Sequence, residues 1–181
     1  MRRAHTCYMA AVFVLALPAL LAAQVSLTLP STSQTTAASA VVSEQARITI
    51  PAGITFGVTN VSVLTTASAA AVTVSNVVLA TSTKQLKLSV LANASSFTPP
   101  VVAATTWSAA NVTWTAGSWT NATASAQTLS SAAYRTVATC TAGVVSCSTT
   151  GLVLRLAAKT TVKRSGAHTL VVRWKVESIG T

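Results

Sequence analysis

Hydrophobic and polar residues alternate with a period of two along most of the chain. In the run "KQLKLSVLA", Leu86, Leu88 and Val90 share one face, while Lys87 and Ser89 point to the opposite face. This alternation is typical of a β-strand with one buried side. The run therefore predicts a strand that packs its leucine face on a core and turns Lys87 and Ser89 outward.

The same alternation recurs between turn signals, and each run predicts a further short strand. The runs place on common faces Ile48 and Ile50; Ile54, Phe56 and Val58; Val72, Val74 and Val78; Leu152, Leu154 and Leu156; and Leu170, Val172, Trp174 and Val176. No segment carries a helical stripe, and Val and Thr are abundant throughout. We predict an all-β fold, an immunoglobulin-like β-sandwich of about eight strands.

The first 23 residues have the pattern of a secretory signal peptide. A basic start at Arg2 and Arg3 precedes an apolar run, and Ala22 and Ala23 offer small residues for cleavage. The apolar run is interrupted by Pro18 and is shorter than the ~20 residues that span a bilayer, so no transmembrane anchor is expected. We predict export to the periplasm or the surface of a bacterium, as a secreted or cell-surface protein.

Residues 24–40 predict a separate N-terminal strand on a flexible linker. In "QVSLTLP", Val25, Leu27 and Leu29 alternate with Ser and Thr, and the polar tract "STSQTTAASA" follows. These three aliphatic side chains become buried only when their strand pairs with a sheet edge, a mode of contact called β-augmentation. The domain itself is predicted to occupy residues 41–181, and its candidate partner is a second copy of the same chain.

Two cysteines remain after the predicted cleavage, Cys140 and Cys147. An even number of cysteines in an exported chain predicts a disulfide. Because the two cysteines are seven positions apart in "CTAGVVSC", the bridge is expected to join the two arms of a hairpin that turns at Ala142 and Gly143.

The acidic residues are too few for most enzyme chemistry. Charged residues make up 8% of the chain, there is no aspartate, and the two acids are Glu44 and Glu177. General acid–base pairs and metal sites need carboxylates or several His and Cys ligands, whereas His168 is the one histidine beyond the predicted signal peptide. We therefore predict no catalytic activity, no metal site and no cofactor.

The basic residues outnumber the acids, with 12 Lys and Arg and a formal net charge of +10. Most of them are scattered along the predicted strands, where cations commonly protect exposed strand faces and edges. No zinc-finger, helix-turn-helix or RNA-binding motif accompanies them, so we expect no nucleic-acid partner.

The four tryptophans divide into two pairs. Trp114 and Trp174 alternate with valines and are predicted to lie in the core, whereas Trp107 and Trp119 lack such neighbours. The second pair has two interpretations: packing at the edge of the domain, or an exposed platform on which the rings of a surface polysaccharide stack. Few amide or acid side chains accompany these rings, which favours edge packing.

Several stretches together resemble small exported bacterial β-sandwich proteins: "ITIPAGITFGV", "LKLSVLANASSFTPP", "NVTWT" and "AHTLVVRWKVES". The layout is similar to that of pilin-type subunits of the spore coat U and chaperone–usher groups. That resemblance implies an immunoglobulin-like fold that lacks one strand and is completed by the N-terminal extension of a neighbour. The cysteines depart from the layout, because they are close in sequence instead of joining distant strands. The leading hypothesis is a structural, pilin-like surface protein, and the alternative is a carbohydrate-binding module that uses Trp107 and Trp119.

Overall fold

The structure, a computed structural model, describes residues 37–180. This part of the chain contains eleven strands, one 3-10 turn at Ala109–Asn111 and no α-helix. The strands are β1 (Gln45–Thr49), β2 (Thr65–Thr66), β3 (Ala70–Val78), β4 (Gln85–Ala92), β5 (Val112–Trp114), β6 (Ala122–Ala124), β7 (Gln127–Thr128), β8 (Arg135–Cys140), β9 (Cys147–Leu152), β10 (Leu154–Leu156) and β11 (Val172–Ile179). The all-β prediction is confirmed. The strands outnumber the predicted eight because several have only two or three residues.

The strands form three antiparallel sheets. Sheet A has the order β1-β3-β9, sheet B the order β2-β10-β5-β7, and sheet C the order β11-β4-β8-β6. Non-consecutive strands are neighbours in every sheet, so the pairing is dominated by contacts between residues far apart in sequence.

One hydrophobic core is shared by all three sheets. Its fully buried members include Val72 of sheet A, Leu88 of sheet C and Trp114 of sheet B. Leu86, Leu88 and Val90 all face this core, as their alternation predicts. Ser89 was expected to be exposed, but it is only 1% exposed. It lies in the middle of sheet C, in register with Lys175 on one side and Thr136 on the other.

Strand β3 does not keep one face inward along its whole length. Asn76 has a φ of 53°, and the β1–β3 register shifts by one residue around it, which is a β-bulge. The bulge reverses the parity of the strand, so Val77 packs against the core and Val78 is 37% exposed. The prediction that Val78 shares a face with Val72 and Val74 is therefore wrong.

Two other predicted strands differ in the structure. The run "GLVLRL" is divided at Val153, because Leu152 ends β9 in sheet A and Leu154 begins β10 in sheet B. The segment 54–58 forms no strand, although Ile54, Phe56 and Val58 are half-buried and the residues between them are exposed. Alternation correctly predicts which side chains face inward here, but the backbone forms no ladder.

The disulfide between Cys140 and Cys147 is confirmed, with the two Cα atoms 5.8 Å apart. The predicted hairpin is wrong. Cys140 ends β8 in sheet C and Cys147 begins β9 in sheet A, and the two strands belong to different sheets. Residues 141–146 therefore carry the chain from one sheet to another, and the disulfide joins those sheets covalently across a buried position, since each cysteine is 1% exposed.

Candidate functional site

Strand β11 is the longest strand at an edge of a sheet. All eight of its residues pair with β4, from Val172 opposite Ala92 to Ile179 opposite Gln85. Within residues 37–180, no strand pairs with its other side. The remaining edges are shorter, or, in the case of β9, are occupied in part by the bridge between Ser148 and Thr120.

The direction of the backbone groups along β11 follows from one hydrogen bond. The amide of Asn93 donates to the carbonyl of Val171 at 2.9 Å, and these residues continue the β4–β11 register. Hydrogen-bonded and non-hydrogen-bonded pairs alternate in an antiparallel ladder. Residues 171, 173, 175, 177 and 179 therefore bond to β4. The N–H and C=O groups of residues 172, 174, 176 and 178 point to the free edge.

The side chains of the edge-facing residues lie on the core side of sheet C. Val172, Trp174 and Val176 pack against the core, yet each is only half-buried. Val172 and Trp174 also line a cavity of about 20 Å³ whose wall is otherwise aliphatic and aromatic. Ile54 lines the same cavity. This side of the core is therefore incompletely covered by the described residues, next to a row of available backbone donors and acceptors.

The segment that approaches this cavity does not complete the sheet. Ile54, Phe56 and Val58 present apolar side chains at every second position. The one backbone–backbone hydrogen bond recorded for this stretch is local, from the amide of Val58 to the carbonyl of Phe56. In the described part of the chain, residues 54–58 therefore cover the core by side-chain packing and leave the edge of β11 unpaired.

The structure does not describe the candidate donor strand or the predicted signal peptide. Val25, Leu27 and Leu29, like residues 1–23, lie outside the described residues. What the structure describes is the β11 edge, which has no strand partner within residues 37–180 and which sequence reasoning did not identify. Alternation shows which face of β11 is apolar, but it carries no signal for a position at the edge of a sheet.

Trp107 is not an exposed ring. It is 4% exposed, its Nε1 donates to the carbonyl of Ala157 at 2.9 Å, and its indole meets the ring of His168 edge-on at 5.2 Å between centroids. Trp119 is half-buried and packs against the core. The burial of Trp107 agrees with edge packing, the interpretation that the sequence favours, and contradicts the alternative in which this ring is exposed, whereas Trp119 is partly accessible. Trp114, by contrast, is 3% exposed, as predicted for a core residue.

His168 is held by two polar contacts beside Trp107. Nε2 lies 3.1 Å from the carbonyl of Arg164, and Nδ1 lies 2.7 Å from the hydroxyl of Thr106. A carbonyl only accepts, so Nε2 donates to Arg164, and in the neutral ring Nδ1 accepts from Thr106. Neither of these two contacts is with a carboxylate, the group that orients the histidine of a catalytic triad. The contacts fix the loops that carry these residues.

Both acids are in ion pairs with lysines. Glu44 Oε1 accepts from Lys84 Nζ at 2.9 Å and from the amide of Ala80 at 2.8 Å, and the Lys84 bond is the main cause of the lowered pKa of Glu44. Glu177 contacts Lys175 and, at 2.6 Å, Lys87. Hydrogen bonds from Lys175 and then Lys87 lower the pKa of Glu177. Neither carboxylate is poised to accept a proton near neutral pH.

The described residues contain no cluster of three or more His, Cys, Asp or Glu side chains that could hold a metal ion. A second cavity, of about 360 Å³, lies between residues 51–55 and 68–70 and is lined only by Pro, Gly, Ile, Thr, Ser and Ala. No helix within residues 37–180 has the length and hydropathy needed to cross a membrane.

Comparisons with known proteins give no relative for this chain: no family model, no curated protein and no solved structure matches it.

Proposed function

We propose that this chain is a non-enzymatic, exported structural protein of the bacterial surface, which associates by adding the strand Gln24–Pro30 to the free edge of β11. The observation that carries this proposal is the unpaired eight-residue edge, with its outward-facing backbone groups beside half-buried Val172, Trp174 and Val176. The immunoglobulin-like arrangement inferred from the sequence belongs to the same proposal. It is supported by sheets that pack over one shared core.

The donor and the acceptor have the same apolar spacing. Val25, Leu27 and Leu29 alternate with Ser26 and Thr28, so a paired strand would set three aliphatic side chains beside Val172, Trp174 and Val176. Neighbouring side chains on one face of paired strands are about 5 Å apart, close enough for contact. The small neutral Ser26 and Thr28 would then face outward with Arg173 and Lys175, without a charge conflict.

Burial of the apolar face would contribute to the pairing of this strand. Burial of three aliphatic side chains contributes roughly 5 kcal/mol before the cost of ordering the strand. If the strand pairs within its own chain, the product is a closed monomer. If it pairs with a neighbour, the same contact repeats head to tail and forms a fibre.

Export and the absence of catalysis are further parts of the proposal. Export is supported by the sequence of residues 1–23 and by the disulfide, which persists in oxidising compartments. The non-enzymatic role is supported by the engagement of Glu44 and Glu177 with lysines. Turnover in a panel of hydrolase substrates that is abolished by Thr106→Ala or His168→Ala would contradict it.

The decisive experiment compares two acidic substitutions in the same strand of the mature chain. Leu27→Asp places a charge on the face that would be buried, and Thr28→Asp places the same charge on the face that would be exposed. We expect Leu27→Asp to weaken association more than a hundredfold, because an unpaired carboxylate costs several kcal/mol to bury. Thr28→Asp should behave as the wild type.

Size-exclusion chromatography and electron microscopy measure assembly, and denaturant unfolding measures stability. A monomeric wild type that is destabilised by Leu27→Asp alone identifies pairing within one chain. Fibres that are lost with Leu27→Asp alone identify pairing between chains. Equal assembly and equal stability of the two variants would refute the role of the N-terminal strand.

A further inference from the structure

Three loops meet at one end of sheet B. Thr65 of β2 pairs with Leu156 of β10, and Leu156 pairs with Val112 of β5. The loops that enter or leave these residues are therefore neighbours: residues 59–64 before β2, residues 93–111 before β5, and residues 157–171 after β10. We call this region the three-loop end.

Specific hydrogen bonds fix the three loops to one another. The amide of Lys159 donates to the carbonyl of Val61 at 2.7 Å, while Lys159 Nζ donates to the carbonyl of Thr106 at 2.7 Å. Thr98 and Thr169 exchange two backbone hydrogen bonds of 2.7 and 3.0 Å. Because Lys159 contacts both other loops, they are held within the reach of a single side chain.

The loops expose five aliphatic side chains. Val63 is 55% exposed, Leu64 51%, Val101 54%, Val102 93% and Val171 65%. The turn that carries Val101 and Val102 is closed by a hydrogen bond from the amide of Ala104 to the carbonyl of Val101 at 3.1 Å. Single exposed aliphatic residues are common, but a group of them on adjoining loops is typical of an interaction surface.

Pro100 and Gly166 fix the position of this turn. A Cβ on Gly166 would lie only 2.8 Å from the Cβ of Pro100, and Gly166 has a φ of +121°. The loop that carries Lys163 and Arg164 can therefore approach the valine turn closely only because residue 166 is a glycine. The cations and the exposed valines are thus built into one compact region.

The charge of the three-loop end is entirely positive among the described residues. Lys163 and Arg164 are exposed on its loops, and Lys159, whose Nζ bonds the Thr106 carbonyl, is half-buried there. Both acids lie at the opposite end of β4: Glu177 opposite Lys87, and Glu44 against Lys84 in the turn before β4. Ala92 is five positions after Lys87, about 17 Å along a strand.

We infer that the three-loop end docks on an anionic phospholipid surface, with the aliphatic side chains inserted among the head groups and the cations beside the phosphates. Cations together with exposed apolar side chains are the combination that binds membrane interfaces. A soluble polyanion would use the cations alone and would gain nothing from Val101 and Val102. The contact does not involve the edge of β11, so this inference stands independently of the proposed function.

The test uses the mature chain and sedimentation with vesicles of phosphatidylcholine alone or with about one third phosphatidylglycerol. We expect binding to the anionic vesicles only. Arg164→Ala should lower the partition coefficient about fivefold, the usual effect of one cation near such a surface. Val102→Asp should lower it at least tenfold, because it removes an inserting side chain and adds a repelled charge.

Matched controls use similar residues away from the three-loop end. Val145 is 72% exposed in the loop between β8 and β9, and Arg47 is exposed on β1. Val145→Asp and Arg47→Ala should leave the partition coefficient within twofold of the wild type.

Three outcomes would overturn the inference. The first is the absence of vesicle binding at low ionic strength, and the second is an equal loss of binding in the control variants. The third is binding to heparin and to vesicles alike that the Val102→Asp substitution does not change. The last result would assign the cations to a polyanion instead. An environment-sensitive dye attached to Val102→Cys gives a second readout, since it should shift to shorter wavelength on anionic vesicles and remain unshifted on neutral ones.

Discussion

Removal of the disulfide tests how the two sheets that it joins are held together. The double substitution Cys140→Ala with Cys147→Ala opens a loop with a sequence separation of seven residues. The chain-entropy relation gives a loss of about 2.4 kcal/mol for a loop of this size, because the unfolded chain regains the conformations that the bridge excludes. Both residues are 1% exposed, so the loss of two buried sulfur atoms adds to this value.

The fold should nevertheless persist, because the crossing loop has other contacts. The amide of Thr141 donates to the carbonyl of Asn121 at 2.8 Å, and the amide of Val77 donates to the carbonyl of Val145 at 3.2 Å. We expect a total loss of about 2–4 kcal/mol. A Cys140→Ser, Cys147→Ser pair should lose about 1–3 kcal/mol more wherever a buried hydroxyl finds no partner.

Guanidinium unfolding followed by tryptophan fluorescence measures these losses. The wild type, reduced and alkylated in denaturant and then refolded, provides a comparison without substitution. A loss below about 1 kcal/mol for the alanine pair would refute the entropic reasoning. A chain that no longer folds would show that the disulfide is required to bring sheets A and C together.

Two further predictions concern the core and the response to acid. Leu88→Ala removes a side chain that is 0% exposed and should lower the free energy of unfolding, measured by chemical denaturation, by about 3–5 kcal/mol. Val78→Ala, at a position that is 37% exposed, should lower it by less than about 1 kcal/mol. Equal losses would contradict the outward position that the bulge at Asn76 gives Val78. The pKa of Glu177 is lower in the folded chain than in the unfolded chain, so its ion pairs stabilise the fold above the unfolded pKa, and that contribution disappears as pH falls through the lowered value. Thermal unfolding at a series of pH values below about 5 should therefore show a shallower loss of stability for Glu177→Gln than for the wild type, and identical slopes would contradict it.

Much of the fold could be predicted from the sequence, because alternation directly reports which side chains avoid water. The inward positions of β4 and the burial of Trp114 follow from this pattern alone. The same pattern does not report which sheet a strand joins. Leu152 and Leu154 keep their parity across a change of sheet, so "GLVLRL" reads as one strand although it forms two.

The candidate sites depend on contacts between distant residues, which local patterns do not contain. Trp107 is buried, and the hydrogen-bond partner of its Nε1 is the carbonyl of Ala157, fifty residues further along the chain. The three-loop end likewise joins distant residues, since Lys159 contacts Val61 and Thr106, and Thr98 pairs with Thr169. The sequence shows Val101 and Val102 as an apolar pair after two prolines, but only the fold brings cations beside them.

In a fibre of the proposed kind, the placement of the disulfide would bear on how each subunit carries mechanical force. If neighbours join through β11, tension enters each subunit at this strand and leaves through the chain that precedes β1. The load must then pass from sheet C to sheet A, across β11, β4 and β8 on one side and β9, β3 and β1 on the other. Cys140 ends β8 and Cys147 begins β9, so a covalent bond lies at the point where this path changes sheets. In such a fibre the disulfide would reinforce the passage between the two sheets, beside the short backbone bridge from Thr120 to Ser148.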